Sequence, residues 1–120
     1  MRSHWIEHKG KQILYQDFSQ NVYNSAAVKT ELEEVQQIVM SQPLNSVRVL
    51  SDFRETHVGS DLLSAMNQAS IATKPYVRKT AVLGVAGMKR KLGDLLTAMT
   101  GQLLKYFDDI EAAKNWLAED

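Results

Sequence analysis

The sequence of 120 residues contains no cysteine. Disulfide bonds, thiolate metal ligands and cysteine nucleophiles are therefore excluded. Charge of one sign is not in excess either, because Lys and Arg together number 14 and so do Asp and Glu. A formally neutral chain has no overall attraction to nucleic acid or to an anionic membrane surface. We therefore expect no nucleic-acid partner.

Long apolar runs are also missing. No stretch approaches the roughly 20 apolar residues that a membrane-spanning helix needs. The first residues, MRSHWIEHKGKQ, are too polar for a secretory signal peptide. We therefore expect no membrane span and a cytoplasmic protein. The length and the ordinary composition, 44% apolar and 23% charged, predict a single domain over residues 1–120.

Apolar residues recur with two periods along the chain. Alternating or β-branched runs predict strands at 5–7, 13–18, 47–53, 80–85 and 103–107. Apolar residues at helical spacing predict four helices, which start near 25, 60, 88 and 109. In the first helix Glu31 is predicted to face solvent, with Pro43 ending the helix. In the last, Asp108 is the predicted cap and Ala112 is predicted to be buried with its apolar neighbours.

The order of these elements indicates the fold class. Strands that alternate with helices are typical of a largely parallel sheet covered by helices. The first two strands flank a short polar gap containing Gly10, which predicts a hairpin and hence one antiparallel strand near a sheet edge. We predict an α/β sandwich with about five strands, mostly parallel, and four helices.

The stretch KPYVRKTAVLGVAGMKRKLGDLL joins a predicted strand to a predicted helix through glycines and a basic cluster. The glycine spacing is not the G-x-G-x-x-G of dinucleotide folds, and the chain has no G-K-[ST] phosphate loop. No cofactor is therefore expected. A helix start bearing Gly87, Lys89, Arg90 and Lys91 is a candidate anion site. The alternative is a solvated helix face, with Gly84 and Gly87 allowing a tight turn and close packing.

The loop after the third predicted strand, SDFRETHVGSDLL, concentrates polar residues. These candidate site residues are Asp52, Arg54, Glu55, His57, Ser60 and Asp61. In open α/β sheets, ligands gather at the carboxyl ends of strands, and this loop lies at such an end. A general base could come from Asp52, Glu55 or His57, whereas no metal site is expected because no second group of ligands accompanies them. The alternative is a polar loop in which Gly59 or Ser60 caps the second helix.

Three stretches carry a resemblance to a known family: NSVRVLSDFRETHV, KPYVRKTAVLGVAGMKRK and KYFDDIEAAKNWLAED. Together they resemble the STAS superfamily of anti-sigma-factor antagonists, and more closely its SpoIIAA-like group, also described as STAS/SEC14 domain proteins. In the antagonists, a partner kinase phosphorylates a serine that begins the helix after the third strand. Ser60 stands at that place, although Gly59 and Leu62 replace the aspartate and glycine that flank the serine in the family. The resemblance implies an unidentified protein partner, such as a kinase-type regulator.

Three functional hypotheses follow. The first is a non-enzymatic regulatory or protein-interaction module, as the resemblance implies. The second is a small lipid-binding or apolar-ligand-binding protein, which the SEC14 side of the resemblance implies. The third is an enzyme that uses Asp52, Glu55 and His57. A homodimer formed through an edge strand or an exposed helix face is a further hypothesis.

Overall fold

The structure, a computed structural model, describes residues 2–20, 25–56, 60–84 and 104–119. Its strands are β1 (His4–His8), β2 (Lys11–Asp17), β3 (Val47–Asp52), β4 (Val77–Leu83) and β5 (Leu104–Phe107). Its helices are α1 (Ser25–Met40), α2 (Ser60–Thr73) and α3 (Ile110–Ala118). All five predicted strands are confirmed. Four helices were predicted and the described residues hold three, because the helix predicted over 88–99 lies outside them.

The five strands form one sheet in the spatial order β1-β2-β3-β4-β5. β1 is antiparallel to β2, and the other three neighbouring pairs are parallel. The predicted mostly parallel sheet with an antiparallel strand at one edge is therefore confirmed. The crossovers from β2 to β3 and from β3 to β4 both lead to the next strand in the same direction, so crossovers of one hand place α1 and α2 on one face. α1 and α2 accordingly pack against each other.

One face of the sheet packs against α1 and α2. The predicted stripe of α1 is buried, and it meets Leu62 and Met66 of α2 over a stacked pair of phenylalanines. That pair is Phe18 and Phe53, whose ring centroids lie 5.0 Å apart. Full burial of each large apolar side chain contributes about 1.5–3 kcal/mol to folding. The buried stripe of α1 consists of Val28, Leu32, Val35 and Val39.

Glu31 of α1 corrects a prediction, because it is buried and does not face solvent. Its carboxylate accepts hydrogen bonds from the backbone N–H groups of Arg2, at 3.1 Å, and Ser3, at 2.8 Å. Burial alone would raise the pKa of Glu31, but the hydrogen bonds from Ser3 and Arg2 hold it below its usual value. The helical period could not reveal this role, since the partners lie in the segment before β1.

The other face of the sheet packs against α3. Ala113 and Leu117 are fully buried there, as predicted, and Ile110 packs beside them. Two predictions for this helix were wrong by one residue. Asp109, not Asp108, is the N-cap, since its carboxylate accepts from the Ala112 N–H at 3.0 Å. Ala112 itself is exposed, because the spacing of Ile110, Ala113 and Leu117 turns it away from the sheet.

Two cations from the sheet bind the carboxyl end of α3. Arg48 of β3 donates from Nε to the Leu117 carbonyl at 2.7 Å. Lys79 of β4 is buried, and its Nζ donates to the carbonyls of Trp116 and Glu119, both at 2.8 Å. The ammonium also lies 4.8 Å from the centroid of the Trp116 ring. Cations at this end satisfy carbonyls that have no partner within the helix and complement its dipole.

Candidate functional site

The carboxyl ends of β2, β3 and β4 meet at one edge of the sheet, where the predicted polar loop begins. The Phe18 N–H donates to the Asp52 carbonyl at 3.0 Å, and the Phe53 N–H donates to the Leu83 carbonyl at 2.9 Å. Hydrogen bonding between the strands therefore continues one residue past their ends. This edge is the usual position of ligand sites in open α/β sheets.

Asp52 is the centre of the polar cluster at this edge. The residue is fully buried. Its carboxylate accepts from the Arg54 backbone N–H at 3.0 Å, from Nε at 2.9 Å and from Nη2 at 2.7 Å. Burial alone would raise the pKa of Asp52, but the hydrogen bonds from Arg54 and Tyr15 hold it below its usual value. Asp52 is therefore ionised at neutral pH and its oxygens are engaged within the protein.

Arg54 lies between the buried Asp52 carboxylate and solvent. Its two bonds to Asp52 through Nε and Nη2 form a bidentate pair, which is the strongest geometry for guanidinium and carboxylate. Its own pKa is raised further by the hydrogen bond to Asp52, so the side chain stays charged. The side chain is nevertheless 48% exposed. Arg54 thus joins a buried anion to the protein surface.

Tyr15 of β2 is the third member of the cluster. Its hydroxyl donates to Oδ2 of Asp52 at 2.5 Å, and its ring stacks on His4 with centroids 5.4 Å apart. Burial, together with the bond to the Asp52 carboxylate, raises the pKa of Tyr15 to about 12. Sequence reasoning missed this residue. Strand alternation places it on the α3 face with Ile13, but its proximity to Asp52 depends on the register of β2 against β3.

Gly84 lies directly after β4 and touches the same cluster. Its φ is +80°, which favours glycine. A Cβ at Gly84 would lie 2.6 Å from Arg54 Cα and 2.7 Å from Arg54 N. The close packing predicted at Gly84 is therefore confirmed, whereas the residues that would complete the predicted turn lie outside the described part of the chain. What it packs against is the backbone of Arg54, so Gly84 fixes where the Arg54 loop can lie.

The segment after Arg54 is anchored by its backbone and by Thr56. The Thr56 hydroxyl donates to the Phe18 carbonyl at 2.5 Å, and the Gln20 N–H donates to the Arg54 carbonyl at 2.9 Å. Gln20 and Glu55 both have positive φ, 59° and 58°. Such a conformation costs about 1–2 kcal/mol for a residue with a Cβ, and it concentrates at functional sites. Glu55 is exposed on this anchored backbone.

The other predicted loop residues are divided between two places. Asp61, in the first turn of α2, pairs with Lys29 of α1 at 3.3 Å, and this bond lowers the pKa of Asp61. It therefore links the two helices and takes no part in the Asp52 cluster. Ser60 is the first residue of α2, but its side chain lies outside the described residues, as does all of His57.

The residues of the candidate anion site are not among those described. The residues predicted for it all lie outside the described part of the chain; they are Gly87, Lys89, Arg90 and Lys91. The described part contains no group of three or more His, Asp or Glu residues that could hold a metal ion. None of its helices combines the length and apolar character needed to cross a membrane.

A cavity of about 70 Å³ lies between the sheet and the α1–α2 layer. Its walls are apolar, but its lining includes the polar side chains of Gln16, Ser51 and Thr80. The Ser51 hydroxyl donates to Gln16 Oε1 at 3.0 Å. The volume is about half that of an engineered cavity of about 150 Å³ that accepts benzene, and far below the roughly 300–1,000 Å³ of drug-sized ligand pockets.

The fold has a counterpart among solved structures. An uncharacterised protein of the DUF3478 family from Shewanella loihica PV-4, described as having a SpoIIAA-like fold, superposes with a TM-score of 0.68. The match covers 97% of this chain and 92% of that one, at 11% sequence identity. The sequence matches no family model and no curated protein. The chain thus has a SpoIIAA-like fold, the fold expected from its resemblance to STAS domains, and at this identity the likeness shows the fold alone.

Proposed function

We propose that the protein is a non-enzymatic regulatory module that binds a protein partner. The contact surface would be the loop after β3 and the start of α2, called here the β3–α2 surface: Arg54, Glu55 and Asp61. One observation carries the proposal. Asp52 is buried and bound by Arg54 and Tyr15, whereas Arg54 and Glu55 stay exposed on an anchored backbone. The loop is built to present charges, not to free a base.

Catalysis by the same loop has less support. A general base needs a proton-accepting oxygen within reach of substrate and a pKa near the working pH. The pKa of Asp52 is lowered and its oxygens are occupied by Arg54 and Tyr15. A substrate would have to displace a bidentate guanidinium before it reached this carboxylate. Glu55 and His57 are then the remaining candidate bases of the enzyme hypothesis.

The character of the neighbouring surface fits a protein partner. Beside Asp61 a shallow groove between α1 and α2 carries both signs of charge, from Lys29, Glu33 and Asp61. Mixed charges on a polar surface steer a complementary protein surface and exclude poorly matched ones. A uniformly basic surface, which nucleic acid requires, is not what these residues form.

Regulation through Ser60 is the finer part of the proposal. Ser60 begins α2, where a phosphate would be favoured by the helix dipole. By the resemblance to STAS antagonists, the partner would be a kinase-type regulator. A phosphate would add negative charge between Glu55 and Asp61 and so weaken binding to a partner surface that tolerates the unmodified loop.

The test is binding of wild type, two charge-reversal variants and Ser60→Asp to a partner captured from the host and then purified. Glu55→Lys keeps the same backbone strain and reverses one charge of the β3–α2 surface. Glu34→Lys is the matched control, because it reverses an exposed glutamate of α1. We expect Glu55→Lys and Ser60→Asp to weaken binding at least about tenfold, which is about 1.4 kcal/mol. Equal affinity of Glu55→Lys and Glu34→Lys would refute the assigned surface.

A small apolar-ligand carrier is the second candidate, and the cavity between the sheet and the α1–α2 layer is what favours it. Its polar lining by Ser51 and Thr80 and its size suit a molecule of a few heavy atoms better than a lipid. Native mass spectrometry of protein purified gently from its host separates the candidates. A lipid-sized adduct would favour the carrier, and a clean apo mass would favour the interaction module.

A further inference from the structure

The two edges of the sheet are built differently. An edge strand presents unpaired backbone N–H and C=O groups, and natural proteins protect such edges with short strands, lysine or proline. β5 has two of these protections, since it is only four residues long and carries exposed Lys105. β1, with the sequence HWIEH, is longer and contains no lysine, arginine or proline. Although Glu7 carries a charge, no other described strand pairs with the outer side of β1, so β1 is the edge open to a further strand.

The hairpin turn determines which groups of β1 face outward. Lys9 and Gly10 have φ of 52° and 79°, both positive as a two-residue type I′ turn requires. In such a hairpin the flanking pair, His8 and Lys11, is hydrogen-bonded, and bonded pairs then alternate along the strands. Ile6 consequently bonds to β2. Trp5 and Glu7 direct their backbone N–H and C=O groups away from β2, toward the open edge.

We propose that β1 pairs antiparallel with β1 of a second copy of this chain, about a two-fold axis at Ile6. This register overlaps all five residues of both strands. It places Trp5 of each copy opposite Glu7 of the other, which gives two hydrogen-bonded pairs and four backbone bonds. Ile6 faces its own symmetry mate on the α3 side. The two five-stranded sheets become one sheet of ten strands.

Side chains and charge support a second copy as the occupant. Trp5 is 39% exposed, and its ring would be covered by the neighbouring chain. The formal net charge is zero, so two copies do not repel each other overall. A single pair of strands forms a small contact, below the roughly 1,200 Å² of stable interfaces, so the dimer should depend on protein concentration. The proposal does not rest on the β3–α2 surface.

The test is sedimentation equilibrium of the full chain over a series of concentrations, with variants at and away from the edge. Trp5→Glu places a like charge opposite Glu7 of the second copy, and Glu7→Pro removes an outward N–H without breaking a β1–β2 bond. Leu44→Glu and Ile71→Glu are matched controls that replace other exposed apolar residues. We expect both edge variants to raise the dimer dissociation constant at least about tenfold, while the controls leave it unchanged. Circular dichroism confirms that each variant is folded.

Hydrogen exchange supplies a second readout that needs no variant. The amides of Trp5 and Glu7 should exchange more slowly at high protein concentration than at low, because only pairing between copies protects them. The Ile6 amide, bonded to β2, should show no such dependence. A protein that stays monomeric at high concentration would overturn the proposal. So would a dimer that the two edge variants leave intact, or one that the Leu44 or Ile71 variant disrupts instead.

Discussion

On the α3 face of the sheet, polar contacts lie at the carboxyl ends and at the amino ends of the strands. The two ends of the strands use different chemistry. At the carboxyl end a fully buried carboxylate, Asp52, is neutralised by Arg54 and hydrogen-bonded by Tyr15. At the amino end two cations, Arg48 and Lys79, bind backbone carbonyls of α3. One end pairs full charges, whereas the other sets a full charge against the partial charges of a helix terminus.

This difference predicts how each end fails. Removing one partner of a buried ion pair leaves the other charge unpaired, which is costly. Removing a cation from a helix end leaves neutral carbonyls without a donor, which costs less than an unpaired buried charge. The carboxyl end should therefore be more sensitive to substitution than the amino end. It should also respond to pH through its own titrating groups.

Gly84→Ala should be the most damaging change, because it strains the backbone that supports the carboxyl end. A φ of +80° costs alanine about 1–2 kcal/mol, and the collision of its Cβ with Arg54 Cα adds an overpacking cost, for a total of about 3 kcal/mol. The measurement is the free energy of unfolding in urea.

Gly10→Ala is the control for Gly84. Its φ is almost the same, +79°, but a Cβ there meets nothing within 4 Å. It should lose only the conformational part, about 1–2 kcal/mol. Equal losses at the two glycines would show that the close approach of Gly84 to Arg54 contributes nothing.

Arg54→Met should have the next largest effect, since it leaves the buried Asp52 carboxylate without its cation. Breaking a buried pair costs about 3–5 kcal/mol, and because Arg54 is half-exposed we expect water to reduce this to about 2–3 kcal/mol. Urea unfolding measures it. Arg2→Met, which breaks the surface pair with Asp17, is the control and should cost at most about 1 kcal/mol. A similar cost for both variants would contradict the special status of the carboxyl end.

The sequence predicted the carboxyl-end loop better than it predicted the loop's partners. Asp52 and Arg54 were identifiable because a β-branched run ends there and polar residues follow. Tyr15 was not, because its contact with Asp52 depends on strand register. At the amino end Lys79 lies in a stretch rich in basic residues, and its burial under α3 follows only from the packing of a helix that starts thirty-one residues later.

Tertiary packing also accounts for the small errors in the predicted helix boundaries and faces. Asp108 and Asp109 are adjacent acids, and both can cap a helix in principle. Asp109 is the cap because the helix must start where Ile110 packs against the core formed by Leu50 and Leu83. Local propensity gave both candidates, and tertiary packing selected one.

Lys79→Met tests the amino end and should cost less than Arg54→Met. The variant keeps the apolar stem but loses the bonds to the Trp116 and Glu119 carbonyls, for which we expect about 1–2 kcal/mol. Thermal and urea unfolding measure the loss. Lys105→Met, at an exposed position of β5, is the matched control and should change stability by less than about 0.5 kcal/mol. A loss for Lys79 that equals or exceeds that of Arg54→Met would invert the comparison of the two ends.

Tyr15→Phe should have the smallest effect, and it tests the pH dependence of stability at the carboxyl end. At neutral pH it removes one hydrogen bond to Asp52, which costs about 1 kcal/mol. In the wild type the folded pKa of about 12 lies above the unfolded value of 10.0, so the stabilisation is fully present below pH 10 and is lost as pH rises toward 12. Between these two pKa values the wild type loses about 1.4 kcal/mol of unfolding free energy per pH unit, so its greater stability over the variant should disappear at about pH 11. Urea midpoints measured in steps from pH 8 to 11 should converge, whereas a constant offset would mean that the Tyr15 hydroxyl does not titrate differently in the folded and unfolded chains.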